Sequence, residues 1–320
     1  MKILITGAAG FIGFNLSRYL LEKDKKISVI GVDSENDYYS IKLKKKRVSE
    51  LRKFKKFSYL KLNISNKKNV KNLFKKNRID CVVHLAAQAG VRYSVVNPDA
   101  YIESNINGFL NIIKNSKDYK IKKFIYASSS SVYGESKSFP LKEGEFLDPL
   151  NLYGLTKKFN EETSKLFYEN YKFPSIGIRF FTVFGEWGRP DMFLFKYLSS
   201  ITNKKKFTLN NRGKHYRDFT YIHDVTKVLF KLIKTANNKN EIFNLCSNQP
   251  IGLLKIIDIL DRVIKKRPRI IMAKRQQADI LKTHGNNRKI LGKLNGFRFT
   301  NFQTALVQTS NWFIKNKKLY

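Results

Sequence analysis

Residues 2–13 read Lys2-Ile3-Leu4-Ile5-Thr6-Gly7-Ala8-Ala9-Gly10-Phe11-Ile12-Gly13, an apolar run passing directly into a G-x-x-G-x-x-G loop. An apolar strand that ends in glycines and opens a helix is the start of a βαβ unit. Glycines permit the tight turn and let backbone amides approach an anion, whose charge then faces the helix N-terminus. A second apolar run, Val29-Ile30-Gly31-Val32, closes on Asp33. A carboxylate there can accept from both hydroxyls of an adenosine ribose and would repel a 2′-phosphate. The pattern predicts a dinucleotide site at Gly7, Gly10, Phe11, Ile12, Gly13 and Asp33 that takes NAD rather than NADP.

The alternation continues outward from this unit. Strands are expected at 2–6, 27–32, 58–62, 81–85, 124–128, 175–179 and 242–245, with helices at 13–23, 67–76, 100–117 and 153–171. The strands are almost wholly apolar, as in Cys81-Val82-Val83-His84-Leu85, which fits a parallel sheet covered on both faces. The fold class is therefore α/β, a doubly wound parallel sheet. After Gly185 the periodicity loosens. Residues 1–185, with 217–249 returning to the same sheet, form the expected cofactor domain; residues 186–216 and 250–320 form a smaller substrate lobe. A cleft between them is where ligands sit.

Composition excludes several classes. Hydrophobic residues are 42% and charged residues 27% of the chain, values that rule out wholesale disorder. No apolar run reaches membrane-spanning length, and the opening run is too short for a signal peptide. Cys81 and Cys246 each sit in an apolar run, so they read as buried thiols and the chain as a cytoplasmic one. The charge is unusual: 62 Lys and Arg against 25 Asp and Glu, a formal +37. The densest run, Lys42 to Lys56, lacks base-stacking aromatics and any zinc-finger spacing. It reads as a solvated helix face that helps attract anionic ligands, not as a nucleic-acid surface.

Two further segments carry chemistry. Tyr153-Gly154-Leu155-Thr156-Lys157 places a phenol and an ammonium one helical turn apart on one face. A nearby ammonium favours the phenolate, which would make Tyr153 a base near neutral pH. Upstream, Ser128-Ser129-Ser130-Ser131-Val132-Tyr133-Gly134 follows an expected strand, at the sheet end where open α/β folds bind ligands. A hydroxyl there can support a substrate oxygen as charge develops on it. Each motif alone has a structural reading, a surface Tyr–Lys pair or a polar turn. His84, in a buried strand with no second ligand at metal spacing, reads as a core histidine, and no metal site is expected.

Taken together, these segments resemble the extended short-chain dehydrogenase/reductases of the nucleotide-sugar epimerase/dehydratase group, most closely the UDP-glucuronate 4-epimerases. The resemblance is carried by the glycine loop, Asn36-Asp37-Tyr38-Tyr39, the run from His84 to Ser94, the serine run, Arg179-Phe180-Phe181-Thr182-Val183-Phe184-Gly185, Trp187-Gly188-Arg189-Pro190-Asp191-Met192 and Arg217-Asp218-Phe219. It implies a Rossmann-type fold and a homodimer formed through the helices near 100–117 and 153–171.

It also implies a site. Tyr153, aided by Lys157, takes the proton of a sugar 4-hydroxyl as NAD takes the C4 hydride; Ser129 supports the keto oxygen of the resulting 4-keto sugar, which turns over before hydride returns. Further cofactor contacts are implied at Asn63, Ile64, Leu85, Ala86, Ala87, Gln88, Asn105 and Phe180. Substrate contacts are implied at Ser130, Thr182 and Arg189 for the uronate carboxylate, Arg92 for carboxylate or phosphate, Arg217 for the diphosphate and Asp279 as a late substrate-binding aspartate. Related decarboxylases carry an acid where this chain has Ser131, and an arginine where it has Gln276. Related dehydratases place an acidic pair at Ser130 and Ser131. The substitutions favour epimerisation, and the resemblance implies conversion of UDP-glucuronate to UDP-galacturonate; the alternatives are another UDP-sugar 4-epimerase, a UDP-glucuronate decarboxylase or a non-catalytic NAD-binding regulator. Asn63 stands where the group often has an aspartate, and Gly154 and Leu155 depart from the usual residues inside Y-x-x-x-K.

Overall fold

The computed structural model describes residues 1–275 and 280–320. Its strands in chain order are β1 (Lys2–Thr6), β2 (Ser28–Asp33), β3 (Phe57–Lys61), β4 (Cys81–His84), β5 (Lys123–Ser129) and β6 (Ser175–Phe180). There follow β7 (Thr182–Phe184), β8 (Phe207–Asn210), β9 (Tyr216–Tyr221), β10 (Asn240–Leu245), β11 (Pro250–Gly252) and β12 (Ile270–Ala273). Seven of them form one parallel sheet in the order β10-β6-β5-β4-β1-β2-β3. Chain direction across the sheet reverses between β1 and β4, so the loops leaving these two strands diverge and open a crevice at their carboxyl ends.

Alternation along each strand explains the layers. Ile3 and Ile5 of β1 enter one core with Phe14, Leu16 and Leu20 of α1 (Phe11–Lys23), whereas Leu4 enters the other. The second core takes Leu73 and Phe74 of α3 (Lys67–Lys76), which follows α2 (Ile41–Leu51) in the chain. It also takes Phe109, Ile112 and Ile113 from residues 108–118. The expected helix at 100–117 is broken: Ile102–Asn107 is a π-helical turn between the α-turn Pro98–Tyr101 and the helix Gly108–Asp118. The wider turn leaves Asn105 buried at 1% exposure.

Outside that sheet, β8 and β12 make a parallel pair, and β7, β9 and β11 form a three-stranded sheet in the order β11-β9-β7. Rings of Phe184, Phe219 and Phe302 meet there. Among the described residues no helix is long and apolar enough to cross a membrane.

The basic run corrects its first reading. It does form a helix, α2, but only part of it is solvated: Lys44 is 4% and Arg47 0% exposed. Leu43, Lys44, Arg47, Val48 and Leu51 recur at three- and four-residue spacing and form the inward face. Arg47 donates to the carbonyls of Ala9 (2.9 Å) and Gly188 (3.1 Å), to that of Trp187, and to the Tyr39 hydroxyl at 2.8 Å. It thereby ties the glycine loop to the segment after β7. Removing it leaves buried carbonyls without donors, so Arg47→Ala should destabilise the protein by on the order of 3 kcal/mol. Thermal melts should show a large fall in Tm for that variant and little change for Lys45→Ala on the exposed side of α2; equal melting of the two would contradict the clamp.

Candidate active site

The crevice at the β1/β4 switch is a cleft of about 420 Å³. Its cofactor end begins at Gly7, whose φ of +74° is left-handed and whose added Cβ would lie 2.8 Å from the Leu85 carbonyl carbon. At Gly13 a Cβ would lie 2.1 Å from the Gly7 carbonyl oxygen. Only glycine lets α1 begin this close to the loop. Gly10 caps α1 without a side-chain hydrogen bond, and the first turn holds no acid, so its amides suit a pyrophosphate. At the end of β2, Asp33 accepts from the amides of Ala9 (3.1 Å) and Glu35 (2.8 Å). Burial outweighs these bonds and the Lys44 charge, lifting its carboxyl above the usual range. Asn63, Ile64, Leu85, Ala86, Ala87, Gln88 and Phe180 complete this part of the wall. The set fits a dinucleotide with free ribose hydroxyls.

The same cleft is lined by Tyr153, Lys157 and Ser129. The first two come from α4 (Leu152–Tyr171), capped by Asn151, which accepts from the Gly154 amide at 2.9 Å. Gly154 has a packing reason: a Cβ there would lie 2.5 Å from the Ser131 carbonyl oxygen, so the helix start rests directly on the serine turn. Ser129 ends β5, and its hydroxyl accepts from the Ser131 amide at 3.1 Å.

Lys157 donates to the Ala127 carbonyl at 2.9 Å. Burial drops its ammonium to about 8, opposed by the charge of Glu161 one turn further on. Glu161 is itself held by Arg179 at 2.7 and 2.9 Å and by the Ser128 hydroxyl at 2.5 Å. The phenol of Tyr153 behaves differently from the sequence expectation. In the ligand-free site burial raises it, and the influences that lower it are a hydrogen bond with Ser129 and the charge of Arg189, not Lys157. The Lys157 nitrogen lies 5.9 Å from the phenol ring centre, and its charge is turned toward the end of β5.

The wall also includes Ser130, Thr182, Arg189 and Arg217. Arg217 donates to the carbonyls of Ile280 (2.6 Å) and Leu281 (3.0 Å). The carboxylate of the neighbouring Asp218 accepts from Ser247 and the Gly285 amide.

Two expected contacts are off the wall. Asn105 lies behind it: its Oδ1 accepts from the Gln88 amide (2.8 Å) and its Nδ2 donates to the Gln88 carbonyl (3.1 Å) and Thr156 (3.0 Å). It props cofactor-loop residues because the π-turn draws it into the core. Arg92 is exposed and, with the Asn210 amide turned to accept, reaches across to that residue at 2.7 and 3.0 Å. Asp279 and Gln276 lie outside the described residues.

Sequence reasoning missed Lys44, Asn36 and Tyr38, all on the wall. Lys44 donates to the Asn36 carbonyl and side chain at 2.5 and 2.6 Å, and Asn36 donates to Gln88 at 2.9 Å. The inward spacing of α2 was the available signal. His84 pairs with the Thr6 hydroxyl at 2.8 Å inside the core, and burial brings it down to about 3.

A parallel sheet with a glycine-loop cleft at its switch point, and a tyrosine with a buried lysine one turn on in that cleft, is the arrangement of a dinucleotide-binding fold. Residues 3–246 match the model of the NAD dependent epimerase/dehydratase family. The chain is 37% identical over 318 residues to UDP-glucuronate 4-epimerase of Thermodesulfobacterium geofontis, covering 99% of this chain and 97% of that one. The crystal structure of UDP-glucuronic acid 4-epimerase from Bacillus cereus, in complex with UDP-glucuronic acid and NAD, superposes with a TM-score of 0.93 at 31% identity over 100% of both chains. UDP-N-acetylglucosamine 4-epimerase from Methanobrevibacter ruminantium gives 0.87 at 25% identity, over 98% of each chain. The chain belongs to the NAD dependent epimerase/dehydratase family and is an NAD-dependent isomerase of the epimerase type.

The setting of Lys157 has a measurable consequence. Unfolded, a lysine titrates near ~10.4, so below about 8 the folded protein carries a desolvated charge that the unfolded chain solvates. The penalty fades as pH rises from about 8 toward ~10.4. Ligand-free Lys157→Met should therefore melt above wild type at pH 7, with the difference shrinking above pH 8. A difference that stays constant to pH 10 would contradict the assignment.

Proposed function

We propose that the enzyme is a UDP-sugar 4-epimerase whose substrate is UDP-glucuronate, converted to UDP-galacturonate. The observation that carries this reading is a guanidinium, Arg189, that lines the same cleft as the hydroxyls of Ser130 and Thr182 and as Tyr153, Lys157 and Ser129. A planar carboxylate is the group such a cluster receives best. The named activities of the relatives support it.

Bound NAD supplies a hydride acceptor that returns the same hydride, so no second substrate is consumed. Tyr153 would receive the proton of the 4-hydroxyl as C4 is oxidised and, once the 4-keto sugar has turned over, would return it to the same oxygen as hydride comes back to the opposite face of C4. Ser129 donates to the oxygen that becomes a ketone. Lys157 would hold the nicotinamide ribose. Glu161 and Arg179 keep that lysine in place. Ser130, Thr182 and Arg189 hold the carboxylate, keeping the bond to it out of line with the 4-keto π system so that CO₂ is retained. Ser130 and Ser131 offer no carboxyl acid for elimination of water. Arg217 meets the diphosphate.

Residues 1–185 with 217–249 would carry the cofactor, and 186–216 with 250–320 the nucleotide sugar. A homodimer fits the apolar side chains left in solvent around the two helices: Val95 and Val96 are 74% and 77% exposed, and Ile102, Leu155 and Leu166 are exposed as well.

Incubation with UDP-glucuronate should yield a UDP-galacturonate peak on chromatography. UDP-xylose with CO₂ would assign a decarboxylase, and turnover of UDP-glucose or UDP-N-acetylglucosamine alone would assign a different epimerase. Arg189→Ala should lower kcat/KM for UDP-glucuronate by a factor on the order of 10² while NAD stays bound. Wild-type turnover by that variant would remove Arg189 from the site.

A further inference from the structure

Arg189 is not a lone cation. Its Nε donates to Asp191 Oδ1 at 3.0 Å and its Nη2 to Oδ2 at 2.5 Å, a side-on bidentate pair. The Tyr38 hydroxyl donates to the same Oδ2 at 3.1 Å, and the guanidinium carbon lies 5.6 Å from the Tyr38 ring centre. Three loops meet at this point. Tyr38 follows β2, Asp191 follows β7, and Gly90 follows β4; a Cβ on Gly90 would lie 2.1 Å from the Tyr38 hydroxyl oxygen. Arg189 and Tyr38 line the cleft and Asp191 does not, so the carboxylate stands behind the guanidinium. A guanidinium has five N–H donors. Asp191 takes the Nε edge, and among the described residues nothing takes Nη1.

We propose that Asp191, steadied by Tyr38, is the positioning residue for Arg189: it fixes the side chain so that the Nη1 edge is presented to an incoming carboxylate, and thereby sets the preference for a carboxylated sugar. The inference rests on the reading of Arg189 as the uronate anchor. Coulomb attraction alone argues against an acid here, since Asp191 cancels the charge that would draw an anion in. Orientation is what it adds. A free arginine must be immobilised when substrate binds, and ordering it beforehand is worth roughly tenfold in affinity. Burial raises the Asp191 carboxyl, but the Arg189 charge and the hydrogen bonds to Arg189 and Tyr38 outweigh it, so the group stays ionised at neutral pH.

The two effects predict opposite signs for Asp191→Asn, which keeps the shape and removes the charge. With NAD-loaded enzyme, positioning predicts a KM for UDP-glucuronate about tenfold higher, kcat changed by no more than about threefold, and an unchanged inhibition constant for UDP. Tyr38→Phe should shift KM the same way by a smaller factor, and supplies the test if the first variant does not fold. An unchanged or lowered KM in Asp191→Asn overturns the inference; so does a parallel loss of UDP binding, which marks a merely structural role. Arg189→Ala separates the levels. If it loses UDP-glucuronate turnover while Asp191→Asn behaves as wild type, only the positioning role fails. If it turns over normally, the anchor itself fails, and the positioning role with it.

Discussion

Desolvation of the Tyr153–Lys157 pair is the constraint on which the site depends. Both groups belong to α4, whose start rests on the Ser131 carbonyl through Gly154. Packing that close removes water from the phenol and the ammonium together, raising one and lowering the other. Each becomes harder to charge alone. The buried Glu161–Arg179 pair behind Lys157 and the Ser129 and Arg189 side chains near Tyr153 are the compensating groups.

The rest of the fold positions that pair relative to a cofactor. The sheet brings the glycine loop after β1, Asp33 after β2, the Leu85–Gln88 loop after β4 and the serine turn after β5 to one edge. Arg47 then fastens the glycine loop to the Trp187–Gly188 segment, from which Arg189 projects into the cleft. One buried arginine therefore fastens the glycine loop to the segment that carries Arg189.

What could be read from the sequence was what depends on neighbours along the chain. The strand–glycine–helix order of residues 2–13, the distance to Asp33 and the i, i+4 pair at Tyr153 are local patterns, and the structure puts all of them on one cleft. Contacts made across the fold were less legible. Lys44 and Arg47 looked like two more cations in a basic run because composition hides which face of a helix is inward. Asn105 sits behind the wall because of a π-turn that periodicity did not show. Arg92 points to Asn210, more than a hundred positions away. The direction of the Tyr153 shift was misjudged for the same reason: spacing reports a neighbouring charge but not the burial that outweighs it.

Replacement of the phenol alone tests the proton acceptor most directly. In steady-state assays with UDP-glucuronate and NAD-loaded protein, Tyr153→Phe should keep the cofactor and the fold while kcat falls by a factor of about 10² to 10⁴. A kcat within a few-fold of wild type would contradict the role given to Tyr153 and, with it, the chemistry assigned to this cleft.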